Sequence, residues 1–96
     1  MNQIVFLVNN ERCGFCKKFA PVIDANLKAM NDAARERCVV AHQNTPEGKA
    51  WFDRLNYRGG IPCVAALRDD GTVIELVPGY KPTEKLGPLL AQLMMA

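Results

Sequence analysis

The chain contains no run of about eighteen apolar residues, the length that reads as a membrane-spanning helix. It has no block of basic residues, and its net charge of +2 is too small to point to nucleic acid. The N-terminus, Met1-Asn2-Gln3-Ile4, lacks the charged n-region and cleavage site of a secretory signal, so a reducing cytoplasm is the expected setting. His42 is the single histidine and there is only one Cys-x-x-Cys, which together count against structural zinc. Repeats, linkers and low-complexity segments are also absent. Apolar content of 49% and charged content of 23% are ordinary for a globular protein. A chain of 96 residues has room for one hydrophobic core, so residues 1–96 are expected to form one domain, and a monomer is the expected state.

What is present stands out against this background. Cys13-Gly14-Phe15-Cys16 follows the apolar run Ile4-Val5-Phe6-Leu7-Val8, which reads as a fully buried strand. After Cys16 the apolar positions take helical spacing. Residues three apart share one helix face, so two sulfurs at the start of a helix come within bonding reach. Unpaired N–H groups at that helix end favour a thiolate on the first cysteine. A Cys-x-x-Cys at a strand-to-helix junction therefore suits reversible dithiol–disulfide chemistry; half of a metal site or two structural cysteines are the competing readings. Cys38 and Cys63 sit inside strand-like apolar segments and read as small core residues, with exchange with the Cys13–Cys16 pair or a share in a metal site as the competing reading of Cys63.

The remaining chain punctuates itself. Cys16, Phe19, Ala20, Ile23, Leu27, Met30 and Ala34 form one stripe, predicting a helix of about six turns interrupted by Pro21. Cys38–His42 reads as a second strand. Thr45-Pro46-Glu47 supplies a cap, a first-turn proline and an acid for a helix that turns Ala50, Trp51 and Leu55 inward and stops near Tyr57. Cys63–Leu67 and Val73–Val77 read as strands joined at Asp69-Asp70-Gly71. A last helix, opening at Lys81-Pro82, carries Leu86, Leu89, Leu90, Leu93 and Met94. The order β-α-β-α-β-β-α predicts an α/β fold: a right-handed parallel βαβ unit, an antiparallel hairpin, and one four-stranded mixed sheet with helices on both faces.

These motifs resemble the thioredoxin family over nearly the whole chain. Cys13 to Asp24 is similar to the family's active-site helix, including its proline at Pro21. Arg58-Gly59-Gly60-Ile61-Pro62 resembles the loop carrying the family's cis-proline, and Asp69 to Gly79 resembles its terminal hairpin. The chain lacks the first strand and helix of thioredoxin and in this is similar to the smaller glutaredoxins. It departs from the pattern at several positions. Arg12 replaces the tryptophan before the first cysteine, Phe15 replaces a proline, and Leu7 takes the place of a buried aspartate counted six positions back. His42 stands for a lysine on the next strand, Asn10 for glutaredoxin's glutathione-site lysine, and glutaredoxin's double-glycine-acid motif is missing.

The resemblance implies a thioredoxin fold and a thiol-disulfide oxidoreductase, mainly a reductant of protein disulfides. Cys13 is then the nucleophile and Cys16 the resolving thiol; Phe15, Ile61, Pro62, Gly79 and Tyr80 form the substrate groove. Arg12 and Lys17 favour the Cys13 thiolate, and His42 is either a proton relay to Cys16 or a strand histidine without a chemical role. No organic cofactor or metal is implied, the Cys13–Cys16 pair being the redox centre. The implied partners are disulfide-containing proteins and, to restore the dithiol, a reductase like thioredoxin reductase, or glutathione; neither nucleic acid nor membrane is implied. An oxidant or isomerase, a metal or iron–sulfur module using the same cysteines, and a non-catalytic interaction domain are the rival readings.

Overall fold

Two strands of this protein are apolar at every position along most of their length, and the computed structural model, which describes residues 1–96, puts both at the centre of the sheet. β1 (Gln3–Val8) and β3 (Cys63–Leu67) are neighbours in the order β2-β1-β3-β4, so each is covered on both faces. β2 (Cys38–His42) runs parallel to β1, with Val8 opposite His42. β3 is antiparallel to β1, with Leu7 opposite Cys63, and β4 (Val73–Pro78) is antiparallel to β3 along the outer edge. The mixed four-stranded sheet is the one the order of elements predicts.

Alternation along the strands splits the core into two layers. Ile4, Phe6 and Val8 of β1 and Val64 and Ala66 of β3 face one side. There they meet Cys16, Phe19 and Ile23 of α1 (Gly14–Ala29) and Leu86, Leu90, Leu93 and Met94 of α4 (Thr83–Met95). Val5, Leu7, Cys63, Ala65 and Leu67 face the other side, where α3 (Pro46–Leu55) contributes Phe52. Phe6 and Phe19, both fully buried, pack edge to face with ring centres 6.3 Å apart. Burial of each aromatic side chain contributes roughly 1.5–3 kcal/mol.

Three expectations need correction. The stripe from Cys16 to Ala34 is not one helix. α1 ends at Ala29, Met30 is extended, and the Asn31 side chain accepts the Ala34 N–H at 2.8 Å to start the short α2 (Asp32–Arg35). Arg35 then folds back onto the freed carbonyls of Leu27 and Met30, at 2.9 and 2.7 Å. A capping asparagine thus overrides an unbroken apolar spacing. Second, Ala50 is exposed: α3 faces the sheet with Gly48 and Phe52, flanked by half-buried Trp51 and Leu55. Gly48 leans against the His42 backbone so closely that a side chain there would collide with it, and this contact sets the rotation of the helix. Third, α3 stops at Leu55, because Asn56 takes the left-handed conformation. The last helix does open early, with Pro82 as its cap and Pro88 inside it.

Candidate active site

Asn9 is the one buried polar residue of the chain, 6% exposed, and it shapes the turn that delivers the first cysteine. Its Oδ1 accepts the N–H groups of Glu11 and Arg12 at 3.1 and 3.3 Å, and its carbonyl accepts the Cys13 N–H at 3.0 Å. Its amide nitrogen donates to Gln43 Oε1 at 3.1 Å, tying the turn to the end of β2. An asparagine after a strand is a recognisable turn former, yet the sequence reading passed over it. With the turn so fixed, Cys13 is the N-cap of α1 in extended conformation.

The two sulfurs are placed unequally. Cys13 is half-exposed, and its Sγ accepts the Cys16 N–H at 3.0 Å, one of the unpaired donors of the helix end. Cys16 is fully buried in the layer under α1. Burial first, then the hydrogen bond and charge of Cys13, push the Cys16 thiol from 9.0 up to about 11. All four cysteines are free thiols.

A second chain segment comes up to Cys13. Its Sγ–H donates to the Ile61 carbonyl, 3.6 Å away, and the Ile61–Pro62 peptide is cis, as the resemblance implies. The Pro62 carbonyl accepts the Gly79 N–H at 2.7 Å, and Gly79 has φ +104°, a conformation that favours glycine. Tyr80, next along, lies edge to face on Phe19 at 5.6 Å, with the Lys18 ammonium 4.9 Å from its ring centre. Phe15, at 63% exposure, is free on the rim between the cysteines. Of the residues expected in the substrate groove, Ile61 touches Cys13 directly, Pro62 follows it and binds Gly79, Tyr80 packs on Phe19, and Phe15 is exposed two positions along the chain. Arg12 and Lys17 are exposed close by in the chain, without ion-pair partners.

His42 approaches from beneath. A cleft of about 200 Å³ opens between α1 and β2, lined by Cys16, His42, Val8, Asn10 and Asp24 among others. The Asn10 Oδ1 is buried without a partner. Leu7, counted back from Cys13 as the stand-in for a buried aspartate, lies on the opposite face of the sheet; the strand residue lining the cleft with Cys16 is Val8. Cys63 belongs to that opposite face too, fully buried beside Tyr57, and burial raises its thiol. Cys38 is remote from the pair, its Sγ facing the Ala34 carbonyl at 3.6 Å and Met30 Sδ at 3.9 Å. No three His, Cys, Asp or Glu side chains converge on a point where they would hold one metal ion. No helix is long and apolar enough to cross a membrane.

No protein-family model matches the sequence, and no curated protein sequence matches it. Among solved structures, the crystal structure of a chloroplastic thioredoxin z is similar, with a TM-score of 0.68 and 17% identity, covering 100% of this chain and 80% of that one. The chain therefore has the thioredoxin fold.

Proposed function

We propose that this protein is a thiol-disulfide oxidoreductase that reduces protein disulfides through Cys13 and Cys16. The observation that carries the reading is the inequality of the two sulfurs. Cys13 sits half-exposed at a helix N-terminus, with its thiol on the Ile61 carbonyl, while Cys16 is buried with its thiol raised to about 11. In the first step the Cys13 thiolate attacks one sulfur of a target disulfide, forming a mixed disulfide and displacing the target's other sulfur as a thiolate. Cys16 then gives up its proton and attacks Cys13 Sγ, which closes the Cys13–Cys16 disulfide and releases the second target sulfur. Two electrons pass from the dithiol to the target, and the released thiolates take up protons.

His42 is the proton acceptor we propose for Cys16, because it lines the same cleft as that thiol and an imidazole nitrogen can accept a proton. Phe15, Ile61, Pro62, Gly79 and Tyr80 take the target segment. A reducing compartment such as the cytoplasm is the setting that keeps such a dithiol competent, with a separate reductase or small thiol restoring it. Two measurements test the reading. Cys16→Ser should trap a mixed disulfide with a protein substrate, and Cys13→Ser should abolish turnover; loss of neither would refute it. The reduction potential separates reductant from oxidant: about −270 mV supports the first and about −120 mV the second.

A further inference from the structure

The chain's small net charge conceals an uneven distribution around Cys13. Arg12 and Glu11 lie in the turn before the cysteine, and Lys17 and Lys18 follow on the first turns of α1. Lys81 closes the other side: its ammonium donates to the Pro78 carbonyl at 3.3 Å and lies beside Gly79. The three ion pairs of the protein, Lys28–Asp24, Arg35–Asp32 and Arg37–Asp69, engage none of these cations. Glu84 shares a shallow surface hollow with Lys81 and Lys85 and pairs with neither. Around the residues next to Cys13 and at Gly79–Tyr80, Arg12, Lys17, Lys18 and Lys81 thus outnumber the single acid Glu11.

Two of the four cations are anchored at the groove itself. Lys18 is held over Tyr80 and Lys81 over Pro78, so their ammonium groups frame the stretch Gly79–Tyr80. An ammonium has three donors, and Lys81 spends one of them on the Pro78 carbonyl. Apolar side chains near Cys13 and Tyr80 remain open to a partner: Phe15 at 63% exposure and the half-buried Ile61 and Tyr80. An occupant that satisfies both has an apolar side chain beside its disulfide and carboxylates flanking it.

We propose that this groove selects disulfides carried in acidic, extended protein segments. The inference deepens the proposed function and rests on it; the chemistry at the sulfurs is the two-electron exchange already described. Glutathione disulfide carries carboxylates but no apolar side chain to cover Phe15, which is why the observations favour a protein segment. Clustered charge of one sign raises encounter rates by about 10–1,000-fold with the opposite sign, and the effect fades as salt shortens its range from about 8 Å at physiological strength.

The test uses two disulfide-bridged peptides, each with a leucine beside one cysteine and differing only in aspartate or lysine at the flanking positions. Hydroxyethyl disulfide, which is small and neutral, and glutathione disulfide complete the set. At low ionic strength the aspartate peptide should be reduced at least about tenfold faster than the lysine peptide, with the gap closing near 1 M salt. Lys18→Glu combined with Lys81→Glu should invert that ratio, and Arg68→Glu, in the distant hairpin, should leave it alone. Equal rates for the two peptides, with hydroxyethyl disulfide still reduced, would overturn the charge selection and spare the redox reading. Glutathione disulfide reacting as fast as the aspartate peptide would overturn the assignment to a protein segment. Failure to reduce any of the four would overturn the redox reading, and this inference with it.

Discussion

Alkylation of the two active-site thiols should be grossly unequal, and the structure sets the size of the difference. Raising the Cys16 thiol from 9.0 to about 11 lowers its thiolate fraction at neutral pH by about a hundredfold, equivalent to about 3 kcal/mol. Only the thiolate reacts, and Cys16 is in addition fully buried, so both factors act in the same direction. With iodoacetamide at pH 7, Cys13 should be modified first, and Cys16 at least about a hundredfold more slowly than an ordinary exposed thiol, followed peptide by peptide by mass spectrometry. Cys13→Ser sharpens the test. It removes the sulfur whose hydrogen bond and charge help raise Cys16, but burial, the largest cause, remains. Cys16 should then react faster than in the native protein and still lag Cys13 in the Cys16→Ser variant. Equal modification of the two thiols in the native protein would refute the reasoning. On the proposed mechanism, tying up Cys13 in a mixed disulfide removes its contribution to the raised Cys16 thiol, while the larger contribution of burial remains.

Three further outcomes follow from named contacts. His42→Gln should slow the resolution step, followed as release of a chromophoric thiol from a mixed disulfide on Cys13, by about a hundredfold and flatten its pH dependence; an unchanged profile in His42→Ala would dispose of the relay. Asn9→Ala loses two acceptor contacts and one donor contact in the turn, a cost of about 1–3 kcal/mol, which corresponds to a fall in Tm of roughly 5–20 °C. Asn9→Asp keeps the acceptor and should recover most of that fall, whereas equal losses in the two variants would mean the turn is held by something else. Stability under reducing conditions should decline above pH 9. Burial holds Cys16 and Cys38 at about 11, so between pH 9 and 11 the unfolded chain loses protons that the folded one keeps, at up to about 1.4 kcal/mol per pH unit for each thiol. Cys38→Ala should flatten that decline, measured as urea midpoints, and a midpoint constant across this range would contradict the account.

The fold was largely legible because its signals are local and redundant. Ile4–Val8 and Cys63–Leu67 are apolar without alternation, which marks strands covered on both faces, and they are the two central strands. Thr45 and Pro46 announced α3, and Asp70 and Gly71 the hairpin. The misses arose where one side-chain contact outranked a periodicity. Asn31 broke a stripe that would otherwise run to Ala34, and the approach of Gly48 to the His42 backbone rotated α3 so that Phe52 rather than Ala50 faces the sheet. The first is a local cap that apolar spacing does not register, and the second joins two elements, so spacing along the chain carries no trace of it.

The buried half of the site shows the same limit and leads to a chemical conclusion. Counting six positions back from Cys13 lands on Leu7, but such a count assumes a turn of standard length between strand and helix. Here Asn9 sets that turn by accepting three backbone N–H groups, those of Glu11 and Arg12 on its side chain and that of Cys13 on its carbonyl. Because side chains alternate along a strand, a shift of one residue changes the face: Leu7 packs against Cys63 and Phe52, and Val8 lines the cleft with Cys16. Both candidates for the position under the resolving thiol are apolar, so β1 supplies no carboxylate there under either alignment. Of the cleft's other ionisable side chains, Asp24 is paired with Lys28 at 3.0 Å and its carboxylate is 62% exposed. The remaining ionisable side chain lining the cleft with Cys16 is His42, opposite Val8 on the neighbouring strand. A buried thiol raised to about 11 with no carboxylate below it needs a base to lose its proton, so on the proposed mechanism the His42 variants decide whether the edge strand supplies that base.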